Sequence, residues 1–321
     1  MRAPLRFASV SVWVGLVVFA CPLSAGAKAP FTLVALPDTQ YYSAYYPALF
    51  TSQTTWIRNN LAAQNIAFVT HEGDVTDDAS PAQFANATAA MYQLDGQTPY
   101  GIAPGNHDVG SPAYQNYLVN FGPAHFAGRS WYGGSYGASS YQYFTGGGRT
   151  FLSLSIQYDA PGDVLTWAQG VLNAPANAGL PTVVTTHDYL NAAGRSAYGN
   201  TLWNTLISPN QQIFMVLAGH DVNERNQTST NAAGKPVFEV LADYQGGPNG
   251  GNGYLRLMSF DEDASAIHVK TYSPYVNAYQ TGSLSQFDLP MNFNARLGLV
   301  PEPATISLLA LGGLALRRRR A

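Results

Sequence analysis

Apolar runs that stop abruptly at polar groups set the rhythm of this chain. Residues 31–36 run into Pro37-Asp38-Thr39-Gln40, and residues 66–70 into His71-Glu72-Gly73-Asp74. The pattern recurs at 100–103 before Gly105-Asn106-His107-Asp108, at 182–186 before His187, and at 213–218 before Gly219-His220-Asp221. Short continuous apolar runs predict strands buried on both faces. Helix starts lie between them. Ser80-Pro81-Ala82-Gln83 offers a serine cap, proline at the first helical position and glutamine three residues after the cap; Ser111-Pro112 opens another helix, and 51–64 and 165–173 extend the set. Strands alternating with helices predict an α/β fold built from crossover units.

Farther along the helices thin out. Residues 237–241, 254–260 and 266–271 predict strands in close succession, with glycines crowding 246–253 between them. Their succession predicts a second sheet packed on the first, followed by a loop-rich run-out over 272–299. The carboxyl ends of such strands are where loops aim polar groups into a common crevice.

A chain of 321 residues that is 46% hydrophobic can bury a large core, and it predicts one main domain over residues 28–299. Both ends look like processing signals. Arg2 and Arg6 precede an apolar stretch and then Ala25-Gly26-Ala27, the pattern of an export signal peptide over residues 1–27. At the other end, Pro301-Glu302-Pro303 precedes a mostly apolar stretch that runs into Arg317-Arg318-Arg319-Arg320. As a helix that stretch reaches roughly 20 Å, short of a hydrocarbon core of about 30 Å, which makes it a marginal anchor with its basic end on the cytoplasmic side.

Setting the ends aside changes the charge. Residues 1–27 and 301–321 hold six of the sixteen basic side chains and one of the nineteen acidic ones, so the remainder carries ten against eighteen, a net −8. An acidic body argues against a nucleic-acid-binding surface, while leaving room for a metal that attracts phosphate. The single cysteine, Cys21, falls inside the export signal, so any metal in the body must be held by nitrogen and oxygen.

Taken singly, an aspartate after a strand is usually a turn or cap and a lone histidine a structural residue. Their joint order carries more. Asp38-Thr39-Gln40, Gly73-Asp74-Val75-Thr76-Asp77, Gly105-Asn106-His107-Asp108, Thr186-His187 and Gly219-His220 resemble, in sequence order, the signature of the calcineurin-like metallophosphoesterases. The resemblance implies two packed mixed β-sheets flanked by helices, a four-layer αββα sandwich. It further implies two divalent or trivalent metal ions, drawn from Mn, Fe, Zn or Mg. Asp74 would bridge them, Asp38 and Gln40 would serve the first, and Asn106, His187 and His220 the second. His107 would face the leaving group as a proton donor, oriented by Asp77. The implied reaction is hydrolysis of a phosphomonoester or phosphodiester, a small phosphorylated substrate, by metal-bound hydroxide. The tail resembles the PEP-CTERM sorting signal of Gram-negative envelope proteins. That likeness implies export, an exosortase-type processing enzyme as partner, transient membrane association through residues 300–321, and residence in the envelope, at the cell surface or in the extracellular matrix.

Two positions depart from the signature. Gln40 stands where the family usually has histidine, and Val222 where its last motif supplies a second histidine. Glutamine can still offer a carbonyl oxygen, which favours Mn, Fe or Mg over Zn; valine offers nothing. The competing reading is therefore a surface protein that holds one metal and binds a phosphorylated or polysaccharide ligand without turnover. Arg129 to Gly134 and Asp243-Tyr244-Gln245-Gly246 are read as structural packing or as lining for the mouth of the site. His71, His125 and His268 match no motif and are read as structural.

Overall fold

A computed structural model describes residues 28–110 and 113–298. The export signal, Cys21, the Ser111-Pro112 helix start and the sorting segment lie outside the described residues.

Seven strands form the first sheet: β1 (Phe31–Leu36), β2 (Ile66–His71), β3 (Tyr100–Ile102), β13 (Leu255–Asp261), β14 (Ala266–Ser273), β15 (Ala278–Gln280) and β16 (Gln286–Pro290). Their order is β15-β14-β13-β1-β2-β3, with β16 also paired to β14. The second sheet is β4 (Tyr132–Tyr136), β5 (Ser139–Gly146), β6 (Arg149–Ile156), β7 (Thr182–Thr186), β10 (Ile213–Ala218), β11 (Glu224–Thr230) and β12 (Pro236–Ala242), in the order β11-β12-β10-β7-β6-β5-β4. A two-strand ribbon, β8 (Leu190–Asn191) with β9 (Gly194–Arg195), is paired to neither sheet's backbone, but Arg195 pairs with Glu239 of β12. Both sheets are mixed. β1, β2 and β3 run parallel, as do β6, β7, β10 and β12, while β13 lies antiparallel to β1 and β5 antiparallel to β6.

Burial explains why the central strands read as unbroken apolar runs. All six residues of β1 are buried. Leu33 and Ala35 face the second sheet, in a core with Phe68, Phe151, Phe214 and Phe260. Val34 and Leu36 face the other way, against Phe50 and Ile57 of helix α2 (Pro47–Asn60) and Phe84 and Met91 of α3 (Pro81–Met91), with short α1 (Gln40–Tyr45) preceding them. The outer face of the second sheet packs Leu152, Leu154 and Val216 on Val164, Ala168 and Leu172 of the helix Gly162–Asn173. The result is helix, sheet, sheet, helix, with apolar contact at each of three interfaces.

The second sheet is not assembled as the strand succession predicts. Of the late strands, β12 joins it beside β10, whereas β13 and β14 cross over and extend the first sheet beyond β1. The rest of the second sheet comes from residues 132–186 and 213–230, and glycines and tyrosines obscure the alternation of β4 and β5. The expected run-out also holds strands, β15 and β16, both pairing β14.

Candidate metal centre

The chain turns sharply where β1, β2, β3, β7 and β10 end, and those turns bring the polar motifs together. The turn after β2 and the one after β3 are interlocked through Asp108, which is wholly buried. Its carboxylate accepts the main-chain N–H groups of Val75 (2.9 Å), Thr76 (3.2 Å) and Gly105 (3.0 Å) and the Thr76 hydroxyl (3.3 Å). Burial and the charge of Asp74 push this carboxyl up to about 7, against the pull of those N–H donors. Gly105 has to be glycine for the two turns to meet, since a Cβ there would lie 2.1 Å from Asp74 Oδ1 and 2.5 Å from the Asp74 nitrogen. His71 secures the turn after β1: its Nδ1 accepts the Gly73 N–H (3.1 Å), so Nε2 carries the proton and faces Thr39 Oγ1 at 2.8 Å.

Asp74 lies at the centre. One carboxylate oxygen, Oδ1, accepts the His107 main-chain N–H at 2.9 Å; the other, Oδ2, lies 3.0 Å from His187 Nε2. His187 is wholly buried and donates from Nδ1 to the Glu72 carbonyl at 2.9 Å, which leaves Nε2 to face the crevice. His220 Nδ1 is 3.2 Å from that same Nε2. Ligand atoms of Asp74, His187 and His220 all lie within 4.8 Å of one another. Two nitrogens on one ion at metal–nitrogen distances of about 2.0–2.1 Å stand roughly 3 Å apart, so the spacing suits a shared cation.

Around this cluster charge is unevenly distributed. Burial opposes ionisation of Asp74, but His187 and then His107 hold its carboxyl below the ordinary range. Burial works against the charged form of His187, but Asp74, the Glu72 carbonyl and Asp108 together lift it above the usual imidazole value, and His220 is lowered by burial and by His187. Asp38 lies with Oδ2 4.0 Å from His187 Nε2, and burial, then Asp74 and Asp243, drive its carboxyl well above the carboxylate range.

Two carboxamide oxygens fit a cation on independent grounds. Gln40 Oε1 and Asn106 Oδ1 are buried and have no hydrogen-bond partner. A buried acceptor without a donor costs about 1–3 kcal/mol, and oxygen ligation of a hard cation would satisfy both. Backbone strain points to the same place: Asp74 (φ 50°) and His220 (φ 70°) occupy the left-handed region, where residues with side chains are uncommon.

His107 stands at the rim with its side chain 37% exposed and Nε2 4.0 Å from Asp74 Oδ2. Its Nδ1 donates to the main-chain carbonyl of Asp77, while the Asp77 carboxylate is 4.0 Å away. The Asp77 main-chain N–H in turn donates to Gln83 Oε1 (2.7 Å), so the glutamine that the sequence offers as part of a helix cap also pins this loop. Val222 is 55% exposed. Arg129 pairs with Asp95 at 3.1 Å, and the rings of Trp131 and Tyr132 pack on Phe126.

Sequence reasoning missed the part played by the turn after β12. Asp243 and Gln245 are not at a mouth but buried against Asp38, with Gln245 Nε2 donating to Asp38 Oδ2 at 3.1 Å and to Asp243 Oδ2 at 3.0 Å. The available signal was the repeat of Asp-x-Gln, which follows β1 and follows β12.

Among known proteins, residues 31–224 match the calcineurin-like phosphoesterase family, and residues 299–320 match the PEP-CTERM protein-sorting motif, which implies processing by an exosortase. The chain is 36% identical over 290 residues to YvnB of Bacillus subtilis, an uncharacterized protein; the match takes in 84% of this chain and 22% of that one, so this chain spans about a fifth of its curated relative. Among solved structures, a dimetal phosphatase from Danio rerio superposes with a TM-score of 0.53 at 11% identity, covering 82% of this chain and 99% of its own. A purple acid phosphatase from yellow lupin gives 0.56 at 13% identity, over 85% of this chain and 56% of its own. These likenesses share the two-sheet, helix-flanked fold. With the family match extending from β1 to the start of β11 and taking in every turn that meets at Asp74, the chain belongs to the calcineurin-like phosphoesterase family.

Proposed function

We propose that this protein is an exported metal-dependent phosphoesterase that hydrolyses small phosphomonoesters or phosphodiesters. The observation that carries the proposal is the meeting of Asp74, His187 and His220 beside the unpartnered oxygens of Gln40 and Asn106. Asp38, Gln40 and Asp74 would hold one ion, and Asp74, Asn106, His187 and His220 the other. Such ions, when bound, acidify water and neutralise charge on the phosphate.

The chain's own groups do the rest. His187 is kept in one orientation by the Glu72 carbonyl, and Asp74 by the His107 main-chain N–H. His107 presents Nε2 to the open side of the crevice. With Nδ1 donating to the Asp77 carbonyl, a protonated Nε2 can pass its proton to the departing alkoxide or aryloxide oxygen, and the carboxylates of Asp74 and Asp77 each lie 4.0 Å from the ring. Export follows from the reading of residues 1–27, and the sorting motif supports a destination at the cell surface. The mature body would then be released or retained there according to how the tail is processed.

The second reading is a protein that binds one ion and a phosphorylated or polysaccharide ligand without turnover; the exposed Val222 is the observation in its favour. Turnover of an aryl phosphate and of a bis-aryl phosphate by purified protein supplied with Mn, Fe, Zn or Mg in turn decides between them. Activity that disappears in Asp74→Ala supports the enzyme. Binding of one ion with no turnover under any metal refutes it.

A further inference from the structure

Where the family signature has its last histidine, this chain has Val222, and what packs on Val222 is the turn after β12. A Cβ on Gly246 would lie 2.5 Å from Val222 Cγ1, so the glycine lets that turn close down on the valine. The residue before the glycine, Gln245, is thereby carried over the first of the two ion positions. It is 8% exposed; its Nε2 donates to Asp38 Oδ2, and its Oε1 accepts from Gln40 Nε2.

The two Asp-x-Gln turns confront each other with the same local geometry. Gln40 N–H donates to Asp38 Oδ1 at 2.9 Å, and Gln245 N–H donates to Asp243 Oδ1 at 2.9 Å. Each glutamine then folds its amide back over its own aspartate. Gln40 Nε2 donates to Gln245 Oε1, a pairing that would have to open for an ion to enter, whereas Gln40 Oε1, in a residue only 6% exposed, has no partner and is the independent sign of a cation.

Resting on the phosphoesterase reading above, we propose that Gln245 is the missing ligand: its amide oxygen takes the place of the absent histidine, and Asp243 is the positioning residue that fixes the amide. The first position is then made of oxygen alone, from Asp38, Gln40, Asp74 and Gln245. An all-oxygen set selects Mn or Mg over Zn, whereas the second position keeps two imidazoles. The loss of the histidine is therefore a change of metal preference and not a loss of the ion.

The test is Mn titration of the metal-free protein by calorimetry, with pulsed electron paramagnetic resonance on the loaded protein to count nitrogen couplings. Wild type should bind two Mn ions, one with imidazole nitrogen coupling and one without. Gln245→Ala should weaken the nitrogen-free ion at least tenfold and leave the other in place, and Gln245→Glu, which keeps an oxygen donor, should retain both. Val222→His added to Gln245→Ala should restore the second ion, now with a new nitrogen coupling. Two ions of unchanged affinity in Gln245→Ala, nitrogen coupling on both wild-type ions, or a single ion in wild type would each overturn the proposal. Asp74→Ala separates the two levels. If it releases both ions while Gln245→Ala releases neither, the family reading stands and only the role of Gln245 falls; if wild type binds no ion, both fall.

Discussion

The Nε2 atom of His187 and the Nδ1 atom of His220 face each other at 3.2 Å across the crevice. The other nitrogen of His187 is committed to the Glu72 carbonyl, so the pair is arranged to share something electron-poor. Replacing His187 by alanine should remove one bound ion and abolish phosphatase turnover, while leaving Mn binding at the all-oxygen position. Metal analysis of the dialysed variant gives the count. Retention of two ions in His187→Ala would contradict the assignment of this pair.

Asp108 should be a stability residue. Asp108→Ala leaves the N–H groups of Val75, Thr76 and Gly105 without their acceptor inside the protein, and buried unpaired donors cost about 1–3 kcal/mol each before relaxation. A loss of about 3 kcal/mol is expected from urea unfolding, with Asp108→Asn intermediate because it keeps one acceptor oxygen.

Gly105→Ala should act on both the site and the fold, since its methyl group also meets the Asp74 main-chain nitrogen. Its methyl group would press on Asp74, whose carboxylate has nowhere to retreat without leaving His187. The expected result is a fall in turnover of at least tenfold with a rise in the Mn dissociation constant. A lowered unfolding midpoint of the metal-free protein reports the effect on the fold.

A pH dependence follows from His71. Burial, with the neighbouring His187, lowers this imidazole from its ordinary value to about 3, so the folded protein keeps it neutral where the unfolded chain takes up a proton. The stability it contributes is full above pH 6.5 and declines as pH falls from 6.5 toward 3, at up to about 1.4 kcal/mol per pH unit. Between pH 7 and pH 4.5 the loss from this one group is on the order of 3 kcal/mol. In His71→Gln the slope of unfolding free energy against pH over that range should be shallower by one proton. An unchanged slope would mean that another group carries the dependence.

How much of this was legible beforehand differs by element. The buried strands β1, β2, β7 and β10 announce themselves because both of their faces are covered, so burial writes one continuous apolar word. The hairpin strands β4 and β5 do not, since β4 is only half buried and its glycines yield to the ring of Tyr141. Partner choice was the other blind spot: nothing in the residues of β13 says that it will lie beside Ala35 and not beside β12. The motif residues could be named from their order, but the placement of Gln245 on Asp38 depends on a contact spanning the whole fold, and only the repeated tripeptide hinted at it.

On the phosphoesterase reading, the left-handed backbone at Asp74 and His220 is the strain of holding two ligand groups in place. Each such residue costs roughly 1–3 kcal/mol that a relaxed conformation would not. Descendants freed from the reaction would drift toward glycine or asparagine at both positions and become sturdier for it. A relative that still carries aspartate and histidine there is, by the same reasoning, one in which natural selection continues to act on the chemistry.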